Sequence, residues 1–142
     1  MKTLSIELQK EYPVPIQTVW EALTDKDQMK HWYFNLPDFQ AKIGYQFQFY
    51  GGKDEDTQYL HRCEITEILP PFKLSYSWCY DGYKGNSQVC FELSETPMGT
   101  LVKLTHSGIE SFESHINDFA PSEFEAGWNY IINTSLKNYL ED

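Results

Sequence analysis

The sequence predicts an α+β fold in which an antiparallel sheet packs against one long C-terminal helix. Residues 122–140 carry apolar or small side chains at helical spacing: Trp128, Ile131, Ile132, Ser135, Leu136, Tyr139 and Leu140. Most of the preceding chain instead alternates apolar and polar residues between short turns, as half-buried strands do. A helix with one apolar stripe needs a partner surface, and a sheet with one apolar face supplies it.

The first segments predict one strand and two short helices. Residues 3–11 alternate, with these apolar residues on one side: Leu4, Ile6 and Leu8. Pro15 suits the first turn of a helix, and apolar residues follow it at helical spacing: Ile16, Val19, Trp20 and Leu23. Asp25, with Gln28 three residues later, is typical of the start of a second short helix, which we expect to end near Trp32.

From Phe39 onward the period is two, and turn residues interrupt it at positions 44, 51–52, 70–71, 81–82, 85–86 and 97–99. Six strands fit between these breaks, and the short connections predict antiparallel neighbours. With the first strand, the sheet has about seven. Residues 108–121 show no clean period and predict an irregular connection or a short helix.

The start of the last helix carries its own signals. Ser122, followed three residues later by Glu125, predicts a capping box. Gly127 lies inside the predicted helix, where glycine costs about 1 kcal/mol relative to alanine. We therefore expect Gly127 to allow a close approach of another element.

Composition limits the partners. The 142 residues fit a single domain, residues 1–142. With 11 Lys+Arg against 21 Asp+Glu, the net charge of -10 disfavours nucleic acid and anionic membranes and favours either solubility or a basic partner. Three cysteines without a CxxC pair suggest no disulfide framework. No stretch predicts a signal peptide or a membrane span, so we expect no membrane insertion and a cytoplasmic protein.

Four segments resemble the SRPBCC (START-like) superfamily: residues 16–25 together with Trp32, residues 64–78, residues 99–109 and residues 127–142. Within it they look most like the activator of heat-shock-protein-90 ATPase homologue family. The resemblance implies a helix-grip fold, a curved antiparallel sheet wrapped around the C-terminal helix, with two short helices after the first strand. The superfamily includes lipid carriers, cyclases, oxygenase domains and co-chaperone domains, so the resemblance selects no function. Tyr45 stands after Gly44 where the family often has a glycine pair.

The candidate site is the space between the aromatic face of the sheet and the helix. Strand and helix phases direct eight side chains there: Phe47, Phe49, Trp78, Tyr80, Phe91, His106, Trp128 and Ile132. They form either a filled core or the wall of a pocket, and the resemblance favours the pocket. His106, the titratable group that alternation places on the inner face, is either a hydrogen-bonded structural residue or an anchor for a ligand carbonyl or hydroxyl.

No catalytic, metal or cofactor site is predicted. The four histidines have no metal-ligand spacing, and Cys79 and Cys90 fall on the outer face. The sequence therefore predicts a non-enzymatic domain that binds a small apolar or amphipathic molecule. One alternative is an interaction module for a chaperone or another protein. The other is a cyclase- or dehydratase-like enzyme with His106 and Tyr80 as its acid/base pair.

Overall fold

The computed structural model describes residues 5–34, 36–51, 58–113 and 119–141. Its strands are β1 (Ser5–Tyr12), β2 (Gln46–Gly51), β3 (Tyr59–Leu69), β4 (Lys73–Tyr80), β5 (Ser87–Thr96) and β6 (Gly99–Ser107). They form one curved, open antiparallel sheet in the order β1-β6-β5-β4-β3-β2. The predicted α+β fold is confirmed. Residues 3, 4 and 52 of the sequence-based assignment lie outside the described residues.

The sheet has six strands rather than seven, because residues 39–43 form none. Their backbone bonds are local: the amide of Tyr45 donates to the carbonyl of Lys42 at 3.2 Å. Gly44 then adopts a left-handed φ of +84°, which turns the chain before it enters β2. Phe39 is buried, but Ile43, which alternation places on the same face, is 65% exposed. Residues 39–43 therefore lead into a turn, although their alternating pattern predicted a strand.

Two short helices follow β1, as predicted: α1 (Ile16–Thr24) and α2 (Lys26–Trp32). Pro15 stands in extended conformation immediately before α1. Asp25 caps α2, since its carboxylate accepts a hydrogen bond from the backbone N–H of Asp27 at 3.0 Å. Gln28 adds a bond from its side-chain amide to the same carboxylate at 3.3 Å.

The C-terminal helix is continuous over 21 residues and contains one wide turn. It consists of α3 (Pro121–Tyr130), a π-helical turn (Ile131–Ser135) and α4 (Leu136–Glu141). Every fourth residue is buried against the sheet: Phe124, Trp128, Ile132 and Leu136. The hydroxyl of Tyr12 on β1 donates to the backbone carbonyl of Ile132 at 2.6 Å, which ties the wide turn to the edge strand.

The predicted capping box at Ser122 and Glu125 is wrong. The N-cap is Ala120, two residues before Ser122, and no side chain caps the helix. Pro121 occupies the first helical position, where its fixed φ suits the helix and its missing N–H costs no hydrogen bond. Among the described helices, none is long and apolar enough to cross a membrane.

The close-packing role predicted for Gly127 is also wrong. A Cβ built on this residue meets no atom within 4 Å, and the residue is exposed. We therefore expect Gly127→Ala to raise the free energy of unfolding by about 1 kcal/mol, because alanine restricts the unfolded chain and suits a helix. Urea unfolding at neutral pH measures this. Gly99→Ala is the contrasting variant and should destabilise, since a Cβ there collides with the backbone oxygen of Tyr12. An unchanged or lower stability of Gly127→Ala would contradict the prediction.

Candidate functional site

A cleft of about 520 Å³ lies between the sheet and the C-terminal helix. On the sheet side it is lined by Tyr59, His61, Trp78 and Tyr80. On the helix side it is lined by Phe124, Gly127, Trp128 and Ile131, with Glu123 and Tyr130 also contributing. The rest of the wall is formed by Tyr33, Phe34, Gly51, Phe119 and Ala126. The cleft is therefore aromatic on both faces.

All eight side chains of the predicted site are buried, but they do not all reach this cleft. Trp78, Tyr80 and Trp128 line it. The other five are buried in the surrounding core: Phe47, Phe49, Phe91, His106 and Ile132. The cleft is near the end of β4 that pairs with the start of β3, where Tyr80 faces His61. Alternation identifies the inner face of a strand but not the position along it where packing is incomplete. Ligand contact by these residues stays a prediction.

His106 is the middle of a chain of hydrogen bonds between buried groups. The indole N–H of Trp128 donates to its Nδ1 at 2.8 Å. An indole nitrogen only donates, so Nδ1 accepts and the ring proton is on Nε2, 2.7 Å from the Ser87 hydroxyl. That hydroxyl in turn donates to the backbone carbonyl of Trp78 at 3.2 Å. Both ring nitrogens are engaged. The ring is 0% exposed, and burial lowers the pKa of His106 to about 3.

His61 is a second inward histidine, and it was missed in the sequence. Its ring stacks on Phe49 with centroids 4.6 Å apart and meets Trp78 edge-on at 4.8 Å. Its Nδ1 is 2.9 Å from the backbone carbonyl of Tyr59. Burial lowers the pKa of His61 to about 4, against a smaller opposing effect of the backbone of Tyr59 and Phe49. The alternation that places Ile65 on the inner face of β3 also places His61 there, so the sequence pattern could have predicted this inward histidine.

Trp78 stands between the two histidines, with ring centroids 4.8 Å from His61 and 5.4 Å from His106. It is only 5% exposed. Within the described part of the chain, its indole nitrogen is the only buried side-chain nitrogen or oxygen that has no hydrogen-bond partner. Such groups are rare in folded proteins because each one loses its hydration without replacement.

Behind the cleft, the hydroxyls of Tyr33 and Tyr76 lie 2.6 Å apart and share a hydrogen bond. Burial raises the pKa of both groups, so both stay protonated at neutral pH. Tyr33 and the neighbouring Phe34 follow α2 in a segment without period, and no pattern in the sequence pointed to them. Phe119 likewise lies in the aperiodic segment before the last helix.

A second depression, of about 550 Å³, lies on the outer face of β2, β3 and β4. Its polar side chains bond to one another and to neighbours. Gln46 donates to Glu64 at 3.1 Å, and Arg62 pairs with Asp81 at 3.1 Å. Since these partners already satisfy one another at an exposed surface, we assign the candidate site to the aromatic cleft.

The six-stranded antiparallel sheet, the two short helices after β1, the long C-terminal helix and the cleft between helix and sheet together define a START-like, helix-grip domain. The sequence model of one such family, described as Activator of Hsp90 ATPase homolog 1-like protein, matches residues 13–141. The chain belongs to this family, which confirms the resemblance seen in the sequence.

Solved structures share this architecture. CalU16 from Micromonospora echinospora is 28% identical with a TM-score of 0.74, over 96% of this chain and 75% of that one. Protein BH1534 from Bacillus halodurans is 25% identical with a TM-score of 0.74, over 99% of both chains. Protein MLL2253 from Mesorhizobium loti is 24% identical with a TM-score of 0.79, over 97% of both. A search of curated proteins gave no match.

Proposed function

We propose that this protein binds a small, mostly apolar molecule in the aromatic cleft and does not transform it. The observation that carries the proposal is the cleft itself, about 520 Å³ between the sheet and the helix. That volume is in the range of small-molecule sites, which are concave, mostly apolar and provided with a few polar groups. Family membership supports a ligand-binding or activator-type domain and leaves the choice between them to the site.

The chemistry of the site argues against the acid/base alternative. His106 would have to exchange a proton with a substrate, yet both its ring nitrogens are bonded to protein groups. With a pKa of about 3 the ring is neutral and a weak base at physiological pH. His61, the other histidine at the cleft, has a pKa of about 4 and the same weakness as a base. A binding role requires neither group to titrate.

A protein-interaction module is the second candidate, which the family description favours because it names the activation of a chaperone ATPase. The net charge of -10 would suit a basic partner surface. Such an interaction should weaken with added salt, since exposed charges are screened. It should also survive substitutions that fill the cleft, which separates it from the small-molecule function.

The neutral fluorescent ketone prodan (6-propionyl-2-dimethylaminonaphthalene) is a suitable first probe. We expect it to bind saturably, at one molecule per chain, with a blue shift of its emission as it leaves water for the cleft. Ile131→Trp should weaken this binding at least about tenfold, because Ile131 lines the cleft and the larger indole fills it. Fluorescence titration measures both effects.

The matched control is Thr134→Trp, which adds the same side chain to the same helix at an exposed position. It should leave the Kd for prodan unchanged. Equal binding by the parent and both variants would place the probe elsewhere on the protein. No saturable binding to the parent would overturn the proposed function and leave the interaction module ahead.

A further inference from the structure

Trp78 lines the cleft and has a buried indole N–H without a hydrogen-bond partner among the described residues. The residue is only 5% exposed. No acceptor among the described residues bonds to its nitrogen, whereas two other indoles of the core are satisfied. Trp32 donates to the carbonyl of Ala22 at 2.8 Å, and Trp128 donates to His106 at 2.8 Å. A ligand that brings an acceptor to Trp78 would remove the desolvation cost of this one donor.

The charges of the wall restrict the ligand further. Of the described residues that line the cleft, Glu123 is the only one charged at neutral pH, because His61 stays neutral. A carboxylate or phosphate placed inside would lose its hydration, find no cation and stand near the Glu123 carboxylate. Burial of an unpaired charge is strongly unfavourable. The wall therefore selects against anions such as fatty acids.

We infer that the ligand of this cleft is an uncharged, aromatic or similarly flat molecule whose inner end carries a hydrogen-bond acceptor, such as a carbonyl oxygen, for the indole N–H of Trp78. The inference rests on the proposed function and specifies its ligand class. An aromatic ligand is favoured because the walls are built of rings: Tyr33 and Trp128 lie within 21° of parallel at 6.2 Å, and Tyr80 stacks on Phe119 at 4.4 Å. Aromatic faces of this kind favour stacked rings.

Three naphthalenes of nearly equal shape test it. 2-Acetylnaphthalene carries the carbonyl acceptor, 2-isopropenylnaphthalene replaces that oxygen by a methylene group, and 2-naphthoate carries a charge. Titration calorimetry at pH 7.5 gives the Kd of each for the parent and for Trp78→Phe, which keeps an aromatic ring but removes the donor. We expect the preference for the ketone over the alkene to fall about three- to tenfold in Trp78→Phe, the equivalent of one hydrogen bond. The naphthoate should bind the parent at least about thirtyfold more weakly than the ketone.

A second measurement uses the parent protein alone, so the test does not depend on how well Trp78→Phe folds. With the indole nitrogens labelled by ¹⁵N, the ketone should move one indole N–H proton resonance downfield, whereas the alkene should not. The bonded indoles of Trp32 and Trp128 are internal references.

The outcomes separate the two proposals. If ketone and alkene both bind but neither the preference nor the indole resonance depends on the acceptor, the inference is overturned and the binding function stands. Naphthoate that binds as tightly as the ketone would overturn the requirement for an uncharged ligand. If none of the three binds the parent, the proposed function fails and this inference with it.

Discussion

Removal of residues 121–142 is expected to turn the protein into an aggregating chain without fixed tertiary structure. The C-terminal helix covers the inner face of the sheet with four side chains that are at most 7% exposed: Phe124, Trp128, Ile132 and Leu136. Its loss would uncover several hundred Å² of apolar surface, at about 25 cal/mol per Å². Exposed apolar surface of that size drives association. Size-exclusion chromatography and near-UV circular dichroism report the two consequences.

Point variants of the same helix provide graded controls. Leu136→Ala, at a fully buried position, should lower the free energy of unfolding by about 2–5 kcal/mol. Asn133→Ala, at an exposed position, should change it by less than about 0.5 kcal/mol. If the truncated chain remained monomeric with a native near-UV spectrum, the helix would not be what covers the sheet.

Acid should destabilise the protein well above the pH at which its carboxylates titrate. The pKa values of His61 and His106 are about 4 and about 3 in the folded state, against about 6.5 in an unfolded chain. Between these limits the unfolded chain binds protons that the folded protein excludes. The histidines' contribution to stability is therefore complete above pH 6.5 and is lost as the pH falls toward 4. At pH 5 the loss is about 2 kcal/mol for each histidine.

Urea unfolding between pH 5 and pH 8 gives the number of protons taken up on unfolding from the slope of stability against pH. His61→Phe, which preserves a ring among its aromatic neighbours, should take up about one proton fewer near pH 5 than the parent. Asn133→Ala changes an exposed residue that does not titrate and should leave the slope unchanged. Equal slopes for the parent and His61→Phe would show that His61 is protonated in the folded state.

Most of the fold could be predicted because its elements repeat a short pattern. The stripe of the last helix and the alternation of β4, β5 and β6 depend only on which side chains face the core. The wrong predictions occur where a local feature of the backbone overrides the pattern. Residues 39–43 alternate, yet a turn closed by Lys42 and Tyr45 takes their backbone bonds. Ser122 and Glu125 have the sequence of a capping box, but the helix already begins at Pro121.

The candidate site was less predictable, since a cleft is a property of packing between distant segments. Alternation placed Trp78 on the inner face of the sheet, and helical spacing placed Trp128 on the helix face opposite it, where the two rings lie 5.8 Å apart. Neither pattern could show that the hydrogen-bond chain from Trp128 through His106 ends at the backbone carbonyl of Trp78, or that the indole N–H of Trp78 has no partner among the described residues. Tyr33 and Phe34 reach the cleft from an aperiodic segment, so only the three-dimensional path of the chain brings them there.

The π-helical turn in the C-terminal helix affects which side chains of that helix face the sheet. In a regular α-helix a step of four residues overshoots one full rotation by about 40°, so three such steps drift by about 120°. Phe124 and Leu136 are three steps apart, yet both are buried. A π turn holds more residues per rotation than an α turn, which reverses part of the drift. The hydrogen bond from the Tyr12 hydroxyl to the Ile132 carbonyl lies in this underwound segment, which helps to keep Phe124 and Leu136 on the buried face of one helix.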